Sequence, residues 1–302
     1  MPIANAATVA YPSRLTTWPA FRLRVAHPPH PSHPPFRDLI RRLPTAVLGV
    51  PLIGGTIWLG TPWLDILVGL LALLGTAEAL HLGTVAGLRP AKFVALAGAG
   101  GLVAVASTGH PLHPGAVSGL VLASLVVLLI RRAPATALAD GAITIAVPLY
   151  AGGLLSFALP LRALPNGREW LLLAILATFA VDSATYLVGT AVGRHRVAPA
   201  VSPGKTWEGV AGGVLGGIGA TIALGALLGL PVSWLEATAL GLAIAFLAQV
   251  GDLAESLLKR SAGVKDAGSL LPGHGGVLDR LDSVVFVLPV VYYGVGWLGI
   301  RG

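Results

Sequence analysis

The chain has 302 residues, of which 55% are hydrophobic and 11% charged, and its mean hydropathy is +0.80. An ordinary soluble domain carries about 25% charged residues, so this composition excludes one and indicates a polytopic membrane protein. The absence of cysteine excludes disulfides, thiolate metal sites and thiol catalysis. A net charge of +7 in such a chain is typical of cytoplasmic loops that face anionic lipid, and we expect no nucleic-acid partner.

Residues 1–43 are predicted to form a disordered, basic, Pro-rich N-terminal arm. They contain the run His-Pro-Pro-His-Pro-Ser-His-Pro-Pro and six arginines beside a single acid. Pro-rich sequence without periodicity favours disorder, and the segment lacks the continuous apolar core of a cleavable signal peptide. We expect the arm to lie on the membrane surface; the alternative is a start codon assigned too early.

Apolar runs of membrane-spanning length follow the arm, since a hydrocarbon core about 30 Å thick needs some 20 apolar helical residues. We therefore predict an all-α polytopic membrane protein with about nine transmembrane helices. Residues 44–168 would hold the N-terminal helices, and residues 169–302 a C-terminal catalytic region. The nine predicted spans are 44–60, 62–83, 92–109, 112–130, 136–160, 169–191, 209–230, 237–258 and 283–300.

The basic residues predict the orientation of these spans. Seventeen of the 20 Lys and Arg precede the first span or follow an even-numbered one, and only Arg162, Arg168 and Arg301 fall on the other side. By the positive-inside rule, the N-terminus lies in the cytoplasm and the C-terminus outside. Loops 192–208 and 259–282 then share the cytoplasmic face.

Asp182 is an ionisable residue inside the sixth predicted span. At a rise of 1.5 Å per residue it lies about 20 Å along the helix that starts near Glu169, in the inner half of the bilayer. An intramembrane acid is a candidate functional residue, with structural pairing to a base as the alternative. Tyr186 follows one turn later on the same face.

Charge is concentrated at the end of the eighth span and in the loop behind it. Asp252, Ser256 and Lys259 are spaced to share one helix face near the cytoplasmic rim. An acid, a hydroxyl and a base in this arrangement suit a metal-bridged phosphate. Anchoring by positive charge is the alternative for Lys259, but it does not explain Asp252.

The loop at 261–278 is rich in glycine and leads into two acids. Backbone N–H groups of Gly275 and Gly276 could approach a phosphate closely, although a flexible turn is the plain alternative. Asp279 and Asp282 follow three residues apart. The helix dipole explains part of their placement, but with Asp252 they also make an oxygen-ligand set suited to Mg²⁺.

The loop after the sixth span ends Ser-Pro-Gly-Lys-Thr-Trp-Glu-Gly at 202–209. Its Gly-Lys-Thr matches the end of a phosphate-binding P-loop, but the first required glycine is replaced by Pro199 and no strand is predicted before it. We therefore reject a P-loop. Lys205 and Thr206 can still contact phosphate.

These motifs together resemble the signature of the phosphatidate cytidylyltransferases, also called CDP-diacylglycerol synthases. Asp182-Ser183 with Tyr186, and the run at 202–209, are similar to two upstream motifs of that family. The likeness is close over about residues 170–290, whereas residues 44–165 resemble the family only as a helical bundle. The signature itself is Ser256-x-x-Lys259-Arg260, Lys265-Asp266-x-Gly268, Pro272-x-His274-Gly275-Gly276 and Asp279-Arg280-x-Asp282.

The resemblance implies that CTP and phosphatidic acid give CDP-diacylglycerol and pyrophosphate, as a step of phospholipid biosynthesis. It implies a homodimer, which we expect in a bacterial inner membrane in contact with membrane lipids. The predicted orientation of the spans puts the active site on the cytoplasmic side. The resemblance also implies Mg²⁺, with one or two divalent ions at the site. A monovalent ion is a further candidate. In that family the acids matching Asp252 and Asp279 are metal ligands, and we add Asp282 and Asp182 as candidates.

The residue types suit this chemistry. A lipid phosphate is already anionic, so the reaction needs charge neutralisation and in-line placement more than a strong base. The predicted catalytic residues are Asp252, Asp279, Lys259 and Ser256. The predicted phosphate-binding residues are Ser202, Lys205, Thr206, Arg260, Lys265, His274, Gly275, Gly276 and Arg280.

Two other functions compete with this interpretation. A CTP-dependent lipid or polyprenol kinase would transfer the γ-phosphate instead, and an ion-coupled transporter would use Asp182 and Asp252 as a cation pathway. A transporter should show two repeated halves, and none is visible in the sequence.

For an enzyme, we expect Asp182 and Asp252 to share one site, with carboxyl groups within about 12 Å. Ser256 and Lys259 should face the same cavity as Tyr186.

Overall fold

Helices make up most of the chain. The computed structural model describes residues 47, 49–131, 135–268 and 275–297. The α-helices are α1 Gly49–Leu59, α2 Trp63–Val85, α3 Lys92–Ala106, α4 Pro114–Arg131, α5 Ala137–Val147, α6 Ala158–Ala163, α7 Gly167–Val192, α8 Trp207–Leu227, α9 Trp234–Ser261 and α10 Leu278–Trp297. A π-helical turn, Pro148–Gly153, and a 3₁₀ turn, Leu155–Phe157, join α5 to α6.

Among the residues that the structure describes, six helical stretches are long and apolar enough to cross a membrane: α2, α4, the joined stretch Ala137–Ala163, α7, α8 and α9. α1 and α3 are apolar but shorter. The chain is therefore a mostly helical integral membrane protein. The helices coincide with the predicted runs, but the nine-span arrangement and the orientation of the termini stay predictions.

The irregular stretch between α5 and α6 packs tightly against its neighbours. Pro148 lacks the N–H that a regular helix would use, and a π turn begins there. A Cβ on Gly152 would lie 2.9 Å from the Cβ of Ala99 on α3, and one on Gly153 would lie 2.7 Å from Leu112. Glycine therefore allows backbone-to-backbone contact at this break.

α8 packs between α7 and α9 through a row of glycines. Gly209, Gly213 and Gly217 recur every four residues and so share one helix face. A Cβ on Gly209 would lie 2.7 Å from the carbonyl oxygen of Thr185, and one on Gly217 would lie 2.8 Å from Val181. Small residues at this spacing are what close helix packing in lipid requires.

A β-hairpin interrupts the helices between α7 and α8. Strand β1, Arg196–Ala198, pairs antiparallel with β2, Ser202–Thr206. The prediction of an all-α chain is wrong here, because strands this short show no periodicity. Lys205 and Thr206 lie on β2 and not in a loop, and the Thr206 hydroxyl accepts a hydrogen bond from the Gly209 N–H at 3.2 Å, capping α8.

The hairpin is held at its base by Glu208 in the first turn of α8. One carboxylate oxygen accepts the backbone N–H groups of Arg194 and His195, at 3.0 and 3.2 Å. The other contacts the His195 ring at 2.6 Å. These contacts fix how β1 leaves α7, and β2 then leads directly into α8. The predicted N-terminal arm, 1–43, lies outside the described residues, and the predicted division into domains stays a prediction.

Candidate functional site

A cavity of about 480 Å³ opens where α7, β2, α9 and α10 meet. Four carboxylates line it: Asp182 from α7, Asp252 from α9, and Asp279 and Asp282 from α10. The structure thus brings together acids from three helices that the sequence predicted as one site. The other lining residues are Thr185, Tyr186, Gly189, Thr190, Ser202, Gly204, Lys205, Thr206, Gln249 and Ser283.

A close approach of two helices places Asp252 and Asp282 on the same cavity. α9 packs along α10, and a Cβ on Gly251 would collide with the backbone carbonyl of Asp282. Glycine at position 251 therefore lets the two backbones touch, which brings the neighbouring Asp252 toward the α10 acids.

Lys205 reaches from the hairpin to Asp252. Its Nζ lies 2.7 Å from Asp252 Oδ2 and 3.3 Å from the backbone carbonyl oxygen of Gln249, and its side chain is only 6% exposed. The Ser256 hydroxyl donates to the other Asp252 oxygen at 3.4 Å. A buried charge needs such a partner, so Lys205 neutralises Asp252 in this state.

Asp279 has partners on both carboxylate oxygens. Lys259 Nζ lies 2.7 Å from Oδ1, while Oδ2 accepts the backbone N–H groups of Ala267 at 3.0 Å and Gly276 at 2.7 Å. Asp279 therefore ties the Gly-rich loop to the end of α9. Metal binding by Asp279 would require these contacts to be exchanged.

Glu255 is a site residue that the sequence analysis did not single out. Its side chain is fully buried, and its Oε2 lies 2.5 Å from Lys259 Nζ. Lys259 thus lies between Glu255 and Asp279. Neither Lys259 nor Ser256 is in the cavity lining, although both were predicted to face the same cavity as Tyr186. The signal was available, because an acid four residues before a lysine on one helix is positioned to pair with it.

Asp182 and Asp282 are connected through Ser283. The Ser283 side chain lies beside Asp182, and its backbone N–H donates to Asp282 Oδ1 at 2.7 Å. Asp182 lies close enough to Asp252 to be repelled by it, and Asp282 is repelled by both. Three neighbouring carboxylates on one cavity wall attract a cation.

The donor set fits a hard divalent ion that arrives with a phosphate ligand. Across the described ranges, no three His, Asp or Glu side chains lie close enough together to hold a metal ion by themselves. Mg²⁺ is commonly held by one or two carboxylates, with waters and substrate phosphates completing its shell. Asp182, Asp252 and Asp282 can supply those carboxylates.

The other predicted phosphate-binding residues are spread more widely. Ser202 and Thr206 line the cavity. Arg260 instead donates to the carbonyl oxygens of Val201 at 3.3 Å and Val264 at 3.1 Å, which joins the end of α9 to the hairpin turn. Lys265 and Arg280 are exposed and outside the cavity lining.

The glycines of the signature have structural partners. Gly275 has a φ of +82°, which favours glycine, and a Cβ there would lie 2.8 Å from Asp279 Oδ2. The Gly276 N–H already donates to Asp279. A phosphate contact by either glycine stays a prediction, and His274 lies outside the described residues.

Glu78 on α2 is a second residue that the sequence analysis missed. Its buried carboxylate accepts the backbone N–H groups of Val277 at 3.0 Å and Leu278 at 2.8 Å, at the start of α10. A signal existed here too, since an acid inside an apolar run is a candidate functional residue.

Comparison with known proteins is consistent with this site. Residues 40–297 match the model of the Cytidylyltransferase family. The chain is 45% identical over 135 residues to an Escherichia coli (strain K12) protein named Uncharacterized protein YnbB, covering 45% of each chain. It is 37% identical over 154 residues to a phosphatidate cytidylyltransferase of Bacillus subtilis (strain 168), covering 51% of this chain and 57% of the relative.

A phosphatidate cytidylyltransferase of Mycobacterium bovis (strain ATCC BAA-935 / AF2122/97) is 39% identical over 152 residues, which are 50% of this chain and 49% of the relative. The matched stretch thus spans about half the length of each of these relatives. The family model, in contrast, extends from before α1 to the end of α10. On that match, the chain belongs to the Cytidylyltransferase family.

Proposed function

We propose that this protein is a phosphatidate cytidylyltransferase, which converts CTP and phosphatidic acid into CDP-diacylglycerol and pyrophosphate. The observation that carries the proposal is the cavity lined by Asp182, Asp252, Asp279 and Asp282 together with Lys205, within a helical membrane protein of this family. The name of the Bacillus subtilis relative supports the same substrates.

The reaction needs two polyanions to meet in line. A phosphate oxygen of the lipid attacks the α-phosphorus of CTP, and the bond from that phosphorus to the bridging oxygen of the β-phosphate breaks, releasing pyrophosphate. Since the nucleophile is already charged, catalysis rests on positioning and on neutralising negative charge. Mg²⁺, when held by Asp182, Asp252 and Asp282, would supply part of that neutralisation.

Lys205 and Lys259 have different roles in this proposal. Lys205 lies on the cavity and would exchange Asp252 for a phosphate oxygen when nucleotide binds. Lys259 is held between Glu255 and Asp279 at the edge of the site, so it is oriented before substrate arrives. Ser256 supports Asp252 through its hydroxyl.

The location of the reaction follows from the charge distribution. With seventeen of the 20 basic residues on one side, we place the hairpin and the Gly-rich loop in the cytoplasm, within nine spans of an inner membrane. Soluble CTP would then reach a phosphate held at the membrane surface. We also propose a homodimer, as the family resemblance implies.

The decisive test is product identification. Purified full-length protein is incubated with labelled CTP, phosphatidic acid and Mg²⁺, and the lipid product is identified by mass. CDP-diacylglycerol with release of pyrophosphate is expected. Release of CDP with a newly phosphorylated lipid would instead identify a kinase, and no lipid product would overturn the proposed function. The Asp252→Asn variant serves as the inactive control.

A further inference from the structure

Glu78 joins the N-terminal helices to the start of α10. It lies near the C-terminal end of α2, is only 6% exposed, and accepts two backbone N–H groups from residues 199 and 200 positions later in the chain. The first N–H groups of a helix have no partner within the helix. Glu78 supplies that partner from another helix, and its negative charge also suits the positive end of the α10 dipole.

Two glycines of the signature leave room for this carboxylate. A Cβ on Gly268 would lie 2.5 Å from Glu78 Oε1, and a Cβ on Gly276 would lie 2.5 Å from Glu78 Oε2. Any other residue at either position would displace Glu78 or the loop. Two glycines of the Gly-rich loop, Gly268 and Gly276, therefore make room for the Glu78 side chain of α2.

The turn that Glu78 holds also fixes Asp279. The amides of Gly276, Val277 and Leu278 follow one another, and the first donates to Asp279 while the other two donate to Glu78. Asp279 in turn holds Lys259 at 2.7 Å. A shift of this turn would therefore move Asp279 and Lys259 together.

We propose that Glu78 is a positioning residue for the active site, which acts by clamping the 275–279 turn so that Asp279 and Lys259 keep their places. Its effect on turnover rests on the proposed function. Its effect on the turn does not, because the turn can be observed directly.

Asp140 offers a matched control within the same half of the chain. It too is a buried carboxylate, 3% exposed, and it accepts the backbone N–H of Arg89 at 2.7 Å. Unlike Glu78, Asp140 has its backbone partner outside the 275–279 turn, and it does not line the cavity. Removing its charge reproduces the general cost of losing a buried carboxylate–amide contact.

The experiment compares Glu78→Gln and Asp140→Asn in the full-length protein. Glutamine keeps the size of the side chain but turns an NH₂ group toward one of the two N–H donors. We expect Glu78→Gln to lower kcat by about 10- to 100-fold with little change in KM for CTP, and to speed amide exchange at residues 276–279 about tenfold or more. Asp140→Asn should do neither.

A conservative variant guards against a failure of Glu78→Gln to fold. Glu78→Asp keeps the charge but is shorter, so it should reach one amide and give intermediate exchange and kcat. Unchanged exchange at 276–279 in Glu78→Gln, or an equal loss of kcat in Asp140→Asn, would overturn the proposal. If the wild-type protein made no CDP-diacylglycerol, the proposed function would fail while the exchange comparison still decided the role of Glu78.

Discussion

The N-terminal region, 49–163, and the C-terminal region, 167–297, are both helical and apolar, but they use charge differently. The N-terminal region holds three of the 13 acids and the C-terminal region nine. In the C-terminal region four of them line one cavity, whereas Glu78 and Asp140 of the N-terminal region bind backbone amides. The C-terminal region thus gathers carboxylates on a cavity, where Asp279 also accepts backbone N–H groups, whereas Glu78 and Asp140 lie outside that cavity and hold backbone.

The largest effect should come from Asp279→Asn. Asparagine removes the charge that holds Lys259 and turns an NH₂ group toward backbone donors, so we expect kcat to fall by about 100-fold or more while the protein remains folded. Steady-state kinetics and thermal unfolding in detergent measure the two effects. Glu169→Gln, an acid in the first turn of α7 outside both the signature and the cavity lining, is the control. Near-normal turnover of folded Asp279→Asn would contradict an active-site role for this residue.

Lys205→Met tests the cavity from the hairpin side. The substitution keeps the apolar stem but removes the charge beside Asp252, so we expect kcat/KM for CTP to fall about 10- to 100-fold. Lys92→Met, at the exposed start of α3 in the other region, should leave it unchanged. Equal values for Lys205→Met and wild type would remove Lys205 from the site.

Helix packing in the C-terminal region can be tested without chemistry. A Cβ at Gly217 would press on Val181 of α7 at 2.8 Å and Ala245 of α9 at 2.9 Å, whereas nothing lies within 4 Å of one at Gly219. We expect Gly217→Ala to destabilise the fold by about 1–3 kcal/mol and Gly219→Ala to have little effect. Unfolding midpoints of the two variants decide this, and equal midpoints would show that α8 adjusts freely.

The smallest effect should follow deletion of residues 1–39. The family match begins at residue 40, and the site is built from helices far along the chain. Turnover of the truncated protein should stay within about twofold of wild type, as measured with equal amounts of inserted protein. A well-inserted truncation that lost most of its turnover would assign a catalytic role to the arm.

Helix positions and the gathering of acids could be predicted because they follow from local properties. Apolar length indicates a helix in lipid, and intramembrane acids such as Asp182 are costly enough to need a reason. The hairpin could not be predicted in this way, because its strands are too short to show an alternation of apolar and polar residues. Contacts of Glu208 hold it instead. Nor could the partners of Asp279 be predicted, since they depend on a turn that only forms in the folded chain.

The contacts of Glu78 and Glu255 were not predicted for a different reason. Both are acids within apolar helices, and the same cost argument that singled out Asp182 applies to them. Neither is one of the residues that carry the resemblance to the family, and Glu78 has its partners some 200 residues away. An acid within an apolar helix is therefore a candidate functional residue whether or not it belongs to the signature.

The long separation of Glu78 from its amides has a consequence for biosynthesis. Ribosomes add about 5–20 residues per second, so α2 emerges some 10 to 40 seconds before Val277 and Leu278 do. During that time an acid on an apolar helix lacks the two N–H donors that hold it in the folded protein, which is unfavourable in lipid. Synthesis of α10 ends this, so a helix that is made later satisfies one that is made earlier. A fragment of residues 167–297 alone would contain the whole signature but lack Glu78, which accepts the backbone N–H groups of Val277 and Leu278.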